Sequence, residues 1–249
     1  MRIGVIGTGV IATALVRGLA GQGHEITVSQ RSAANSAMLA REIPEVSVAD
    51  NQAVLDECEV VFLGLVAEAA AQILGALRFR PDQQVISLMA GATLAQAAPM
   101  VAPARALALM LPYPGIAEGG SPILALGETG LIETLFAPRN RVFRLKDEAE
   151  LAAYLCAQAV LSPVAQLVDD AADWLGGRVD DPAQGEAFLR ALVAANLSAG
   201  SAKALVAALN TEGGYNQRLR THMEAAGTRA ALRQGLERLA RGPTDTKSA

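Results

Sequence analysis

The first 146 residues alternate short apolar runs with segments in which apolar residues recur at helical spacing. Short apolar runs bounded by turn formers predict buried strands, and apolar residues three or four apart predict helices. Strands are predicted over 2–7, 25–29, 46–48, 60–65 and 84–88, with further candidates over 106–111, 123–126 and 142–145. Helices are predicted over 10–20, 35–42, 51–58 and 67–77, the third with Asp50 as its N-cap. This alternation is typical of an α/β fold with a doubly wound parallel sheet.

The pattern changes after residue 146, where only helices are predicted, beginning at Glu148, Pro163, Pro182 and Thr228. The helix predicted over 183–209 has only Arg190 and Lys203 as charged side chains between residues 187 and 210. A helix that is apolar around most of its surface must be covered. About a hundred residues supply too little cover by themselves, so we expect a partner subunit to contribute. The sequence thus predicts a sheet domain over 1–146, an all-α dimerisation domain over 147–242 and a flexible polar tail over 243–249.

Composition narrows the class of protein. Charged residues make up 18% of the chain and the net charge is -4, which predicts no basic surface for nucleic acid or anionic lipid. Cys58 and Cys156 are isolated, as in a reduced cytoplasmic protein. Neither His24 nor His222 has a catalytic companion, and no cluster has metal-ligand spacing. No segment is interpreted as reaching the apolar length that a bilayer requires. We therefore expect a soluble, cytoplasmic protein with no metal, nucleic-acid or membrane partner.

A glycine-rich stretch between the first strand and the first helix carries the main chemical signal. It reads Gly7-Thr8-Gly9-Val10-Ile11-Ala12, which is the G-x-G-x-x-A form of the dinucleotide fingerprint. Gly7 permits a tight turn, Gly9 lets the backbone approach a pyrophosphate, and Ala12 lets the helix pack closely on the sheet. The helix N-terminus offers free N–H groups to the phosphates. The order strand, motif, helix, strand predicts a Rossmann-type domain that binds a nicotinamide dinucleotide.

The end of the second strand indicates which dinucleotide is bound. A carboxylate about 20 residues beyond the glycines would hold the ribose 2′-hydroxyl of NAD. The chain instead has Ser29, Arg31 and Ser32, which offer a guanidinium and two hydroxyls to a 2′-phosphate. These residues favour NADP(H) over NAD(H). The alternative is that Arg31 is a solvated loop residue.

Four stretches resemble pyrroline-5-carboxylate reductase. They are residues 1–19, residues 85–94 (VISLMAGATL against I-S-x-x-A-G-x-x-L), residues 111–119 (LPYPGIAEG against M-P-N-T-P...G-E-G) and residues 227–232 (GTRAAL against G-x-R-x-A). The resemblance runs nearly end to end. It implies a Rossmann domain and a helical domain that interlocks with its twin in a homodimer. It also implies NAD(P)H-dependent reduction of a cyclic imine that bears a carboxylate, the last step of proline biosynthesis.

The resemblance also implies site residues. Cofactor contacts are expected at or just beyond the ends of the fourth, fifth and sixth strands, at Leu65, Val66, Ala90 and Tyr113, with Tyr113 beside the nicotinamide ring. The chain departs from the family pattern at three places outside the substrate loop. Val66-Ala67 replaces a Lys-Pro pair, Tyr113 replaces an Asn in a loop one residue shorter, and a Gly-rich motif opening the helical domain has no counterpart beyond residues 161–165.

The substrate loop of the family, S-P-G-G-T-T, aligns with Thr211-Glu212-Gly213-Gly214-Tyr215-Asn216. Gly213 and Gly214 leave space for a ligand and expose N–H groups at a helix start, which are suited to a carboxylate. Tyr215 or Asn216 is predicted to donate a hydrogen bond to the imine nitrogen. Glu212 stands where a proline is expected and would repel an anionic substrate unless it turns away. The alternative is that the loop is only a glycine-rich joint between helices.

Three functions remain open from the sequence. The first is pyrroline-5-carboxylate reduction, which is the best single expectation. The second is reduction of a different imine or carbonyl substrate by the same architecture, which the altered loop would fit. The third is a regulatory protein that binds NADP(H) without turnover.

Overall fold

The computed structural model describes residues 1–241, so the tail predicted over 243–249 lies outside them. The first part of the chain forms an eight-stranded sheet in the order β3-β2-β1-β4-β5-β6-β7-β8. The strands are β1 (Arg2–Ile6), β2 (Glu25–Ser29), β3 (Val46–Ala49), β4 (Val60–Leu63), β5 (Gln84–Ser87), β6 (Arg105–Pro112), β7 (Pro122–Gly127) and β8 (Arg141–Leu145). All neighbouring strands are parallel except β6 and β7, which are antiparallel. The predicted doubly wound sheet is confirmed, and its antiparallel pair was not predicted.

Six helices accompany this sheet: α1 (Val10–Leu19), α2 (Ala33–Glu42), α3 (Asn51–Glu57), α4 (Ala67–Leu74), α5 (Leu94–Met100) and α6 (Gly130–Phe136). The side chain of Asp50 accepts hydrogen bonds from the backbone N–H groups of Gln52 and Ala53, both at 2.9 Å, and so begins α3 as predicted. Thr93 and Gln96 form a capping box that begins α5. Helices α5 and α6, of seven residues each, were not predicted from the sequence.

The strands bury apolar side chains on both faces. Along β1 and β4, Ile3, Val5, Val60 and Phe62 belong to one buried cluster, and Ile6, Val61 and Leu63 to a second. Successive strand side chains point to opposite faces of a sheet, so the two clusters are the cores on its two sides. Phe62 meets Phe136 of α6 edge to face, with ring centroids 6.1 Å apart. These cores explain why the strands read as continuous apolar runs.

The chain divides into two compact units, with the boundary after Leu151. The second unit contains helices only: the end of α7 (Glu148–Ala157), a 3₁₀ turn over Gln158–Val160, α8 (Leu161–Gly176), α9 (Pro182–Ser198), α10 (Ala202–Ala208), α11 (Tyr215–Ala225) and α12 (Thr228–Arg241). The single helix predicted over 183–209 is wrong. It breaks between α9 and α10 with a bend of 116°. Gly200 lies at the break, and the Ser201 hydroxyl accepts a hydrogen bond from the N–H of Ala204 at 3.2 Å, which begins a new helix.

The sequence was interpreted as having no segment of membrane-spanning length, and one helical run of the described residues contradicts this. Glu148–Gly176 forms a run of 29 residues that is long and apolar enough to cross a bilayer, and only 6% of its most apolar window is buried. The 3₁₀ turn joins α7 to α8 without a break, whereas the pattern had suggested two separate helices. Length and composition alone are weak grounds for a membrane span, since apolar helices of soluble proteins meet the same criteria.

Candidate functional site

The turn after β1 is shaped by Gly7. Its φ of +91° lies in the left-handed region that favours glycine. A Cβ added there would also overlap the carbonyl oxygen of Gly64, at the end of the adjacent strand β4. The chain order of the sheet reverses between β1 and β4, and ligands of doubly wound sheets bind at the carboxyl ends of the strands at such a point. Gly7 therefore makes the chain turn sharply where a dinucleotide would lie.

Ala12 packs α1 tightly against β4. It is buried, and a Cβ added to Gly64 would lie 2.8 Å from the Cβ of Ala12 and 2.7 Å from the carbonyl oxygen of Gly7. A larger residue at either position would force α1 away from the sheet. Sequence reasoning identified Ala12 and missed Gly64, although a glycine directly after an apolar strand is a signal of close backbone approach.

Gly9 and Val10 form the accessible part of the fingerprint. Gly9 is the N-cap of α1, with φ -71° and ψ -178°, and no side chain caps the helix. An added Cβ at Gly9 would meet no atom within 4 Å, and Val10 is 75% exposed. The first N–H groups of a helix have no partner within the helix and attract anions. Thr8 is fully buried and Ile11 half-buried, so within the motif it is the exposed backbone that fits a pyrophosphate.

Ser29 has a different position from the one that the sequence suggested. It is fully buried at the end of β2, and its Oγ accepts a hydrogen bond from the N–H of Gly7 at 2.8 Å. The hydroxyl therefore supports the glycine turn instead of facing a 2′-phosphate. Arg31 is exposed, and within residues 1–241 its guanidinium makes no ion pair. Ser32 is the N-cap of α2, yet its hydroxyl makes no capping hydrogen bond.

The remaining residues predicted to contact the cofactor follow three neighbouring strands. Leu65 and Val66 come after β4, Ala90 after β5, and Tyr113 after β6. Leu65 is buried in the second core, whereas Val66 is 67% exposed and Ala90 is exposed. Tyr113 is half-buried and precedes a short 3₁₀ turn over Pro114–Ile116. Because β4, β5 and β6 are parallel neighbours, their carboxyl ends lie along the same edge of the sheet as the glycine turn.

The residues predicted to bind the substrate belong to the helical unit. Gly213 has a φ of +72°, and Gly214 is the N-cap of α11 without a side-chain capping bond. Tyr215 is 90% exposed and Asn216 is exposed, so both side chains are accessible. The loop is thus a tight turn that starts a helix, with free N–H groups and two hydrogen-bonding side chains at its N-terminus.

The other candidates for chemistry are cysteine and histidine side chains. Burial raises the pKa of the Cys58 thiol, which packs beneath Gly4 of β1 and is therefore kept protonated. Burial lowers the pKa of His24, and the positive charge of the nearby N-terminal amine lowers it further. His222 is exposed on α11. No group of three or more potential metal ligands occurs within residues 1–241.

The sequence and the structure of this chain are similar to those of known oxidoreductases. Residues 2–91 match the family model described as NADP oxidoreductase, coenzyme F420-dependent. No curated protein sequence matches the chain. The structure is similar to 1-pyrroline-5-carboxylate reductase from Streptococcus pyogenes (TM-score 0.81, 19% identity, 97% of each chain). It is also similar to pyrroline carboxylate reductase from Plasmodium falciparum with NADP bound (TM-score 0.79, 12% identity, 97% of this chain and 96% of that one).

A second group of similar structures consists of imine reductases and reductive aminases. The imine reductase from Aspergillus terreus in complex with NADPH4 and a dibenzazepine has a TM-score of 0.57 and 21% identity, over 93% of this chain and 87% of that one. At such identities the likeness establishes the fold, so the resemblance seen in the sequence is confirmed at that level. The chain therefore has the fold of the pyrroline-5-carboxylate reductases, and its residues 2–91 are similar to the NADP oxidoreductase family model.

Proposed function

We propose that the protein is an NADPH-dependent reductase that transfers a hydride to a C=N bond, with pyrroline-5-carboxylate as the best single substrate. The observation that carries the proposal is the accessible N-terminus of α1 at Gly9, where the sheet order reverses. It occurs in a chain whose fold is shared with pyrroline-5-carboxylate reductases and imine reductases. The fold supports the reaction class, and the residues of the chain supply the roles described next.

The nucleotide is held by the turn and by the loops along the same sheet edge. The exposed backbone of Gly9 and Val10 receives the pyrophosphate, while Gly7 and Ala12 shape the turn beneath it. Val66 and Ala90 are exposed along the same edge of the sheet, where they contact the nucleotide through backbone and apolar surface. Tyr113 packs beside the nicotinamide. The reactive chemistry supplied by a bound nicotinamide is the hydride itself, so the protein must orient it and exclude water.

Preference for NADPH over NADH rests on Arg31 and Ser32. Both follow β2, where a 2′-phosphate would lie, and neither side chain is engaged elsewhere in the described residues. A guanidinium and a hydroxyl suit a phosphate, and no carboxylate is present to repel it. Arg31→Ala should therefore weaken NADPH binding by about tenfold or more and leave NADH binding nearly unchanged. Equal losses in calorimetric titrations of the two nucleotides would show that Arg31 does not contact the 2′-phosphate.

The substrate role is assigned to the start of α11. The N–H of Gly214 donates to the carbonyl of Thr211 at 3.0 Å, so the groups free to hold a carboxylate are the N–H groups of Gly213, Tyr215 and Asn216. The side chain of Tyr215 or Asn216 donates a hydrogen bond to the imine nitrogen as it becomes an amine. Tyr215→Phe and Asn216→Ala separate these two donors. The variant that lacks the working donor loses turnover while its NADPH affinity stays at the wild-type value.

A homodimer formed through the helical unit is part of the proposal. Within the described residues, helices α8 to α12 contain no buried residue, and Leu161, Trp174, Phe188 and Leu219 are each more than half exposed. Charges are also segregated, with six acidic and two basic residues over 152–198 and seven basic and three acidic residues over 202–241. A second copy can cover apolar helices and match these opposite charges.

Light scattering of the purified protein tests the dimer. The expected mass is at least twice that of one chain, and Phe188→Asp should reduce the assembled fraction because it places a charge on an apolar face. A monomeric wild type contradicts this part of the proposal. Recovery of the protein in the membrane fraction of cells would instead indicate that the run Glu148–Gly176 serves as a membrane segment.

One assay separates the three functions that the sequence left open. NADPH oxidation is followed with pyrroline-5-carboxylate, a panel of cyclic imines and a panel of keto acids. Turnover of pyrroline-5-carboxylate supports the proposal in full. Turnover of other substrates alone assigns the same architecture to a different imine or carbonyl, as the departures at Tyr113 and Tyr215 would allow. Tight NADPH binding without turnover of any substrate indicates a regulatory nucleotide-binding protein.

A further inference from the structure

The segment from the end of β2 to the first turn of α2 makes two hydrogen bonds to the glycine turn, one on each side of Thr8. The N–H of Gly7 donates to the Oγ of Ser29 at 2.8 Å. The side-chain amide of Asn35, in the first turn of α2, donates from Nδ2 to the carbonyl oxygen of Thr8 at 2.6 Å. The same segment carries Arg31. The part of the chain assigned to the 2′-phosphate is therefore attached directly to the part assigned to the pyrophosphate.

The bond from Asn35 fixes the orientation of one peptide group. The carbonyl of Thr8 and the N–H of Gly9 belong to the same planar trans peptide and therefore point in opposite directions. With the carbonyl held toward α2, the N–H of Gly9 points away from α2. That N–H makes no hydrogen bond to protein acceptors in the described residues, and Gly9 is exposed. Thr13 also donates to the Thr8 carbonyl, but its Oγ1 lies 3.4 Å away, so Asn35 provides the closer bond.

We propose that Asn35 is a positioning residue for the nucleotide: its amide holds the Thr8 carbonyl and thereby directs the N–H of Gly9 at the pyrophosphate. The inference rests on the proposed binding of a nicotinamide dinucleotide. It assigns to Asn35 a role that differs from that of Arg31. Arg31 distinguishes NADPH from NADH, whereas Asn35 acts through the turn and serves both nucleotides equally.

Asn35→Ala tests this role, with Gln30→Ala as the matched control. Both variants remove a side-chain amide from the same segment, and Gln30 is exposed without a side-chain hydrogen bond to the turn. Alanine is favourable in the first turn of α2, so the variant is expected to fold, which circular dichroism checks. Dissociation constants are measured for NADPH, for NADH and for adenosine 2′-monophosphate, which has no pyrophosphate.

Asn35→Ala is expected to weaken the binding of NADPH and of NADH by the same factor, about tenfold, and to leave the binding of adenosine 2′-monophosphate unchanged. Gln30→Ala is expected to match the wild type with all three ligands. Weaker binding of NADPH and adenosine 2′-monophosphate with unchanged binding of NADH would overturn the inference, because Asn35 would then contact the 2′-phosphate itself. Wild-type affinities in Asn35→Ala would also overturn it while leaving the proposed function intact.

A wild type that binds neither nucleotide would overturn the inference together with the proposed function. Asn35→Asp provides a second variant of the same size. Its carboxylate cannot donate to the Thr8 carbonyl, and it is favourable near a helix N-terminus, so the fold is preserved. It is expected to weaken NADPH and NADH by at least as much as Asn35→Ala does, and wild-type binding by this variant would contradict the role of the amide donor.

Discussion

Gly9→Ala should separate nucleotide binding from folding. The backbone of Gly9, at φ -71° and ψ -178°, is compatible with alanine, and the added Cβ would meet no protein atom within 4 Å. Replacing glycine by alanine at such a position restricts the unfolded chain and stabilises a protein by about 0.4–1 kcal/mol. For a chain of this size, this corresponds to a rise in unfolding temperature of about 1–4 °C. The methyl group occupies the space that the pyrophosphate requires, so nucleotide affinity should fall.

The size of that loss follows from overpacking. Forcing an extra methyl group into a close contact costs about 1–3 kcal/mol, which raises the dissociation constant for NADPH on the order of tenfold to a hundredfold. Gly7→Ala should behave in the opposite way. Its φ of +91° and the overlap of its Cβ with the Gly64 carbonyl together cost roughly 2–5 kcal/mol of folding stability.

Thermal unfolding and NADPH titration measure the two effects. Trp174 is the only tryptophan and lies in the helical unit, so circular dichroism is preferred to tryptophan fluorescence for following the sheet unit. Gly130→Ala is the matched control, because Gly130 begins α6 and an added Cβ there would also meet no atom within 4 Å. It should gain stability and keep full NADPH affinity. Wild-type NADPH binding by Gly9→Ala would refute the placement of the pyrophosphate at this turn.

Three further predictions concern the sheet unit. Ser29→Ala leaves the buried N–H of Gly7 without a partner and should lower the free energy of unfolding by about 1–3 kcal/mol, measured by urea titration, while NADPH and NADH affinities fall equally; a loss confined to NADPH would return Ser29 to the 2′-phosphate. Gln83→Leu removes side-chain donors to the carbonyls of Leu55 and Cys58, at 2.7 and 3.0 Å, and should cost about 1–3 kcal/mol in the same titration; an unchanged urea midpoint would contradict this cap of α3. Burial lowers the pKa of His24 in the folded protein, so the unfolded chain binds more protons as the pH falls. The contribution of His24 to stability is therefore present above its ordinary pKa of 6.5 and is lost as the pH falls through and below that value. His24→Asn should flatten the fall in unfolding temperature on acidification, and an equal fall in both proteins would show that His24 is not its cause.

The fold of the sheet unit was largely predictable because its signals are local. Apolar runs defined the strands, and Asp50 and the glycine fingerprint defined where helices begin. The antiparallel pairing of β6 with β7 was not predictable, because strand direction depends on a connection that includes only a short 3₁₀ turn after Tyr113. The break after Ser198 was missed because the apolar stripe continues across Gly200, while the capping bond of Ser201 decides the geometry.

The candidate site was predictable in its residue types and less so in their roles. Gly7 and Ala12 have the surroundings that the fingerprint implies. Ser29 was assigned to a phosphate because a hydroxyl at the end of β2 suggests one, yet the fold turns it inward to Gly7. Asn35 was missed because its bond joins residues 27 positions apart, and a sequence pattern contains no such distance information. The roles of Tyr215 and Asn216 remain predictions that the proposed variants test.

The central claim is that the protein transfers a hydride from NADPH to the carbon of an imine. It is tested most directly with NADPH that carries deuterium at the transferable position, incubated with pyrroline-5-carboxylate and the purified protein, followed by mass spectrometry of the product. Proline with one deuterium per molecule is expected, in an amount equal to the NADPH oxidised. Two results would contradict the claim. One is that NADPH binds but neither pyrroline-5-carboxylate nor any imine of the panel oxidises it, and the other is that NADPH is oxidised without deuterium appearing in an amine product.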